Sequence, residues 1–520
     1  MGQAERTVRL LTPIADSEGA LLDIFAPGRV AVCLSPESAT GSQNQLVFSF
    51  AVNLLSRLYP VVQELAVVMP RGVPAVAPFP KWRADYLDEH VKRFLLALDP
   101  PLRWTIATNL PQVAECSFMV GQVAAPPGFG VWVGADGWEA TMSPDGPVAT
   151  GDGTNPVGAY AAACLGVAEV WKRLLHPHRG LLAGTPVIPA DQPVTFSSFT
   201  YRTGQGQPNP PIPVPADVGR LTMVGLGAGG GAAAFTLASV ANLAGAITQV
   251  EPDEILEPNL NRCVFADGED AAAASAKTKV VEALFSHHPS VSVRSLRRSH
   301  DDVVGELDRE DYRYVIAAVH SREARRAIQY ETPMVLWDAG ATGQGDFFIW
   351  RHILGVTDCM WCKHPPGEMD PEEQKARQLA QLVGLDAGAW LRKVRTNERF
   401  SPEEVAVIRE GFSSPDARFD APVAGQRYGD WEVDQCGRLA LPDVDDEIPV
   451  PFAPVMAGVL LAGEVIKQHH FPEAVLDSYY WNTLVGRFML RNQPYRRRPN
   501  ADCRFCSDGA YLDQYGRRWN

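Results

Sequence analysis

Residues 221–262 read LTMVGLGAGGGAAAFTLASVANLAGAITQVEPDEILEPNLNR, and the order of apolar runs and glycines in them decides the fold. Leu221 to Val224 is a short apolar strand, and the chain then turns on Gly225, Gly227 and Gly230. An alanine-rich helix comes next, which Gly245 is placed to stop. A second apolar run, Ala246 to Val250, ends in Glu251. This is a strand, glycine turn, helix, strand unit, with an acid about 20 residues past the last glycine, where a ribose hydroxyl is bound. The glycine pattern alone is weak, because close helix–sheet packing also asks for glycine. The residues beyond Glu251 are more selective. Asn259-Leu260-Asn261-Arg262 sets two amides and a guanidinium just past the nucleotide edge, where a dehydrogenase has no use for them.

At 520 residues the chain is too long for one core, and two or three domains are expected. Apolar and charged fractions of 46% and 21% are those of a soluble globular protein. The net charge of -14 argues against a nucleic-acid partner, which would need clustered Lys and Arg. No stretch reads as a membrane span, and MGQAERTVRL has no apolar signal core, so a cytoplasmic protein is expected. Nine cysteines in such a compartment point to metal or reactive thiols before disulfides.

Residues 29–70 look like an eroded copy of the central unit. Arg29 to Leu34 and Gln63 to Met69 would be its strands and Gln45 to Leu58 its helix, with one glycine in the turn and no terminal acid. A second echo supports duplication: PVGAYAAACLGVAEVWK from Pro156 can be laid without a gap on PFAPVMAGVLLAGEVIK from Pro451. Eight prolines make 185–218 an extended linker that cannot enter a sheet interior. Further on, Asp270 to Ser286 reads as one helix carrying Lys277 and Lys279, and Val291 to Leu296 and Tyr314 to Val319 read as strands. Residues 363–435 form a helical insertion, with a capping box at Ser401-Pro402-Glu403-Glu404 and Gly411 as a stop. Two knuckles, Cys359-Met-Trp-Cys362 and Cys503-Arg-Phe-Cys506, together make a closed four-thiolate set suited to structural zinc.

The glycine turn, Glu251-Pro252-Asp253, Asn259 to Arg262, Lys279 and the paired cysteines resemble the ubiquitin-activating-enzyme-like family of ThiF/MoeB-type adenylyltransferases, over roughly residues 219–510. Among these the chain is most similar to the activating enzymes of bacterial ubiquitination-like operons. The resemblance implies that Gly225, Gly227 and Gly230 admit the phosphates of ATP and that Glu251 holds the ribose. Asp253, Asn259, Asn261, Arg262 and Lys279 would line the nucleotide, with Lys277 competing for the role of Lys279. Arg262 and Lys279 would offset charge as a carboxylate attacks the α-phosphate. That carboxylate, a protein C-terminus with a pKa of about 3.5, is already ionised and needs no general base. One position departs from the family: His320-Ser321 stands where an Asp-Asn pair positions magnesium, and an imidazole is a poor magnesium ligand. Asp253 or Asp338 would have to supply the oxygen, or adenylation has been lost. In the thiamine-synthesis relatives of that family a reactive cysteine sits where Asp434-Gln435-Cys436-Gly437-Arg438 lies, which makes Cys436 the candidate nucleophile. Cys263, beside Arg262, is its competitor, and an inert thiol is the plain alternative.

The expectation is an α/β protein with two Rossmann-like adenylation-type domains of mostly parallel sheet, packed as an intrachain pseudo-dimer. Residues 1–184 would be the inactive domain and 219–520 the active one, with ATP, magnesium and structural zinc as its cofactors. Its action would be to adenylate the C-terminus of a ubiquitin-like protein, capture it as a thioester and pass it to a conjugating-enzyme-like protein, with homodimerisation possible. Against this stands a scaffold that binds such a partner without using ATP, motivated by His320. A nicotinamide-dependent oxidoreductase is disfavoured by Asn259 to Arg262.

Overall fold

The computed structural model describes residues 5–11, 14, 17–111, 113–124, 128–181, 187–341, 345–364, 380, 384–395, 398–411, 421–428, 431, 450–482, 498–503, 505–507 and 509–519. Two sheets carry the architecture. The first contains β1 (Arg29–Leu34), β2 (Glu64–Val68), β3 (Arg103–Ala107), β4 (Cys116–Val120), β5 (Phe129–Asp136), β6 (Glu139–Ser143) and β7 (Val194–Ser197). The second contains β8 (Ala216–Val224), β9 (Leu243–Val250), β10 (Val291–Leu296), β11 (Tyr314–Ala317), β12 (Val335–Ala341), β13 (Asp346–His352) and β14 (Ser478–Asn482).

Their strand orders are β3-β2-β1-β4-β5-β6-β7 and β10-β9-β8-β11-β12-β13-β14, which is one topology used twice. In each sheet the first five strands pair in parallel and the last two are antiparallel. Parallel strands are covered on both faces, which is why RVAVCL and CSFMV run apolar without alternation and are buried throughout their centres. The winding reverses between β1 and β4 and again between β8 and β11, so each half opens a crevice at the carboxyl ends of those strands.

Helices Pro156–Leu175 and Phe452–His470 each connect the sixth and seventh strands of their sheet. Each carries a buried Glu–Lys pair at the same place: Glu169 with Lys172 at 2.7 Å, and Glu464 with Lys467. Burial lowers the pKa of both lysines, and the neighbouring glutamate opposes that in each case. The backbone N–H of Ala190 donates to Glu169, and that of Leu476 donates to Glu464, so each acid also ties a returning segment to its helix. The halves join along their last strands, where Phe196 of β7 packs 5.1 Å from Trp481 and 6.0 Å from Tyr479 of β14. Tyr201 adds a ring 4.5 Å from Tyr479.

Three local expectations change. Gly245 does not stop the helix, which ends at Ala238; it lies inside β9 at φ +133°, where a Cβ would come 2.7 Å from the carbonyl oxygen of Gly219. That close approach accompanies the register shift in β8 between Asp217 and Arg220. The helix expected over 270–286 is broken into Gly268–Ala272 and Lys277–Leu284, because Ala274 takes φ +45° and the chain re-enters beside Glu254. The stretch read as a linker supplies β7 as an outermost strand and begins β8 at Ala216. Its prolines flank these strands, where no ladder bond is lost.

By its contacts the chain divides into two units, one of 1–320, 324–363 and 448–520, the other of 321–323 and 364–447. The second is a small helical body around Trp390, Phe400, Tyr428 and Trp431. Its helix Pro402–Gly411 starts on a reciprocal box, with the Glu404 N–H donating to Ser401 Oγ and the Ser401 N–H to Glu404 Oε2. Among the described residues, no helix is long and apolar enough to cross a membrane.

Candidate functional site

Strand β8 ends at Val224 and the chain turns at Gly225, whose φ of +89° is left-handed backbone that a side chain would strain. A Cβ on Gly225 would stand 2.6 Å from the carbonyl oxygen of Ala318, just past β11, and one on Gly230 would stand 2.0 Å from that of Gly225. Gly227 differs. It is the N-cap of helix Ala228–Ala238, and among the described residues a Cβ there would meet nothing within 4 Å. Two glycines serve close packing, and the third fronts open space at a helix N-terminus whose N–H groups suit a phosphate.

Glu251, at the exit of β9, is buried and reaches back under this turn. Its carboxylate accepts from the Leu226 N–H at 2.6 Å and from the Asp253 N–H at 3.1 Å. Lys277 completes the group, with Nζ 2.7 Å from Asp253 Oδ2 and 3.8 Å from Glu251 Oε1. Burial alone would lower the lysine's pKa, but Glu251 and Asp253 outweigh it and leave it raised, so the ammonium is held charged. Lys279 sits two residues on, on the exposed side of helix Lys277–Leu284. The lysine brought to the acids is therefore Lys277.

Asn259 accepts the Leu256 N–H on its side chain and so caps its own short turn. Asn261 is 2% exposed, and among the described residues its Oδ1 is a buried acceptor with no hydrogen-bond partner. Arg262 beside it is half-buried. Cys263 is buried, and burial pushes its thiol pKa up, which makes it a poor nucleophile as it stands. Cys436 lies outside the described residues, as does the Asp434 to Arg438 stretch around it. Burial likewise pushes Cys33 and Cys116 up to about 12, and Cys164 higher still, as expected of core thiols.

His320 is exposed, just past the Ala318-Val319 pair that abuts Gly225. Of the two acids that could replace it, Asp338 is fully buried against Arg325. Asp253 keeps a side chain 60% exposed at the rim of the site. A hard cation arriving with a nucleotide would find its protein oxygen on Asp253.

The cysteine knuckles come together from positions far apart in sequence. Their sulfurs lie within 4.8 Å of one another, with Sγ–Sγ separations of 3.9, 3.7 and 3.5 Å for Cys359–Cys362, Cys359–Cys503 and Cys362–Cys506. A tetrahedral thiolate site with metal–sulfur bonds of about 2.3 Å needs sulfurs about 3.8 Å apart. The set fits a four-coordinate soft-ligand ion, packed against the stacked rings of Trp361 and Phe505.

Four first-half residues that the sequence reading passed over reach this region. Arg57, Asn53, Lys81 and Trp82 all donate hydrogen bonds to residues 260–270. One signal was legible: Asn53 and Arg57, four apart, follow the apolar run Phe50-Ala51-Val52 at the end of helix Ser42–Leu55 and just past it.

Residues 217–505 match the ThiF family, and residues 29–184 match the BilD N-terminal domain. The chain is 25% identical over 504 residues to the uncharacterized protein y4jF of Sinorhizobium fredii (strain NBRC 101917 / NGR234), covering 94% of this chain and 91% of that protein. A solved structure, that of E. coli MccB with MccA-N7isoASN, aligns over 55% of this chain and 67% of its own at 14% identity, with a TM-score of 0.33. That likeness is too slight to bear on the site.

Proposed function

The chain belongs to the ThiF family, and on that premise we propose that it activates a ubiquitin-like protein with ATP. Its second half has the adenylyltransferase fold of that family, and the fold carries the general reaction, transfer of an adenylyl group to a substrate. The proposed substrate group is the partner's C-terminal carboxylate. The observation that carries this reading is the cluster under the glycine turn, where the open face of Gly227 stands over buried Glu251 and Lys277.

In this reading Gly227 and the helix behind it receive phosphate, and Glu251, whose two oxygens already accept from the Leu226 and Asp253 N–H groups, would take the ribose hydroxyl on a remaining lone pair. Arg262 and Lys277 offset the charge that grows on the α-phosphate as the carboxylate attacks it and the α–β bond breaks to release pyrophosphate. Asn261, whose buried oxygen has no partner among the described residues, would accept from the nucleotide or its partner peptide. The acyl adenylate would pass to Cys436 as a thioester, with AMP as leaving group, and then to a conjugating-enzyme-like protein. The four cysteines would hold structural zinc, one per chain by elemental analysis.

Magnesium-dependent ATP–pyrophosphate exchange with a ubiquitin-like protein bearing a free C-terminus tests the reading. Exchange is expected, and Cys436→Ser should keep it while abolishing the thiol-sensitive adduct. Partner binding without any exchange would leave a scaffold in place of an enzyme.

A further inference from the structure

We propose that Arg57, in the half that lacks the glycine turn, is a positioning residue for the nucleotide site of the other half, holding the turn that carries Asn261 and Arg262. The inference rests on the activating-enzyme reading and adds to it a task for the first half.

The turn from Leu260 to Asp267 is neither helix nor strand, so its carbonyls need donors from elsewhere. Those of Leu260, Val264, Phe265 and Ala266 receive them from the first half, while those of Arg262 and Cys263 accept from Val264 and Ala266 within the turn. The Arg57 guanidinium donates to Leu260 O at 2.5 Å and Ala266 O at 2.8 Å, bracketing Asn261 and Arg262 on both sides. Asn53 Nδ2 donates to Val264 O at 2.9 Å, and its Oδ1 accepts from Arg57 Nε at 2.7 Å, fixing the plane of the fork. Lys81 and Trp82 then pin the end of the turn through Asp267, at 2.7 and 2.9 Å. Arg57 is fully buried and its fork is spent on carbonyl oxygens. Burial pulls its pKa down to about 10, which still leaves it charged at neutral pH.

A buried guanidinium is costly to desolvate, and a fully apolar contact would join the halves as well. What the fork adds is geometry: two rigid N–H vectors set the spacing of two carbonyls, and so the direction in which the residues between them point. The matching position of the second half is engaged differently. By position in the helix, Ser239 is the second half's counterpart of Asn53, and its hydroxyl is engaged with Phe235 O and Tyr160 instead.

The experiment is a double-mutant cycle on the full chain, reading ATP affinity by calorimetry with magnesium present. Arg57→Lys keeps the charge and loses the fork, and it should weaken ATP about tenfold, which is about 1.4 kcal/mol. In an Arg262→Ala background the same change should cost less than about twofold, since the residue being aimed is gone. Equal losses in both backgrounds, or none in either, would overturn the proposal. Hydrogen exchange supplies a readout independent of nucleotide. Amides of 260–266 should exchange at least about tenfold faster in Arg57→Lys while β1 and β2 keep their protection. Unchanged exchange there also overturns it, whether or not the wild type binds ATP. Failure of the wild type to bind ATP counts against the activating-enzyme reading alone. Should Arg57→Lys not fold, Asn53→Ala removes one turn bond and frees the fork, and the same two comparisons apply.

Discussion

Strand β2 leaves the first sheet through Val68 and Met69, both buried; strand β9 leaves the second through Val250 and Glu251. The strand orders around these two exits are identical, yet only one ends in a carboxylate that reaches back to the turn in front of it. The turns differ likewise. Beside the exit of β4 the space next to Gly121 is filled by Ser35 and Ser38, whose Oγ atoms lie 2.4 and 2.1 Å from where a Cβ would stand. Beside the helix after β8, the space in front of Gly227 is open. The same topology therefore carries an open glycine turn over a buried carboxylate in one half and a packed surface in the other. What a duplicated fold preserves is its core and its buried ion pairs, while the chemistry resides in a few residues at strand ends.

The largest effects should fall on what the halves share. Glu169→Ala and Glu464→Ala each strand a buried lysine, and each should cost about 3–5 kcal/mol in chemical denaturation. A first-half variant that costs nothing would break the equivalence of the two helices.

Next come the residues the halves do not share. Lys277→Met should lower ATP–pyrophosphate exchange about 10²–10³-fold, with Lys279→Met close to wild type. ATP should bind once per chain by calorimetry, because Met69 offers a ribose nothing. Two equivalents would mean that the first half kept a site. The ranking of the two lysines reverses if the exposed one does the work.

A smaller contrast lies in the turns themselves. Gly225→Ala forces a side chain into left-handed backbone against Ala318 and should cost about 1–3 kcal/mol. Gly41→Ala, at the first-half N-cap, presses on the amide end of Asn44 and reaches the Ser38 carbonyl at an ordinary 3.6 Å, and should cost less than about 1 kcal/mol. Melting temperatures of the two variants compare them directly.

The smallest effect at neutral pH concerns His90, stacked on Phe79 at 3.7 Å, with Nδ1 donating to Trp82 O. Burial holds its pKa down to about 4, well below the ordinary value. A depressed histidine contributes stability that is complete above its unfolded pKa of about 6.5 and is lost as the pH falls through the folded value. His90→Phe should match wild type at pH 7.5 and lose stability less steeply between pH 6.5 and 4. The slope should stay above zero, because burial lowers His287 to about 4 as well. Identical acid slopes would remove His90 as a contributor.

Much of this was legible without coordinates. Glu251, the glycine turn and the Ser401 capping box are local patterns, set by spacings of a few residues, and each lies in the local structure its spacing implies. The second copy was legible too, in Glu169 and Lys172 aligned with Glu464 and Lys467. Less visible was the break at Ala274, since an alanine-rich run has the composition of a helix whether or not tertiary contacts let it continue.

By itself the sequence determined the doubled α/β architecture, the strand exits that differ and the four thiols, because hydrophobic period and residue type act over short stretches of chain. Tertiary structure decided that Lys277 and not Lys279 meets the acids, that Cys263 is sealed from solvent, and that Arg57 serves a turn more than 200 residues away. The reason is physical. Which side of a helix is buried depends on what packs against it, and a backbone carbonyl that needs a distant donor looks like every other carbonyl in the chain.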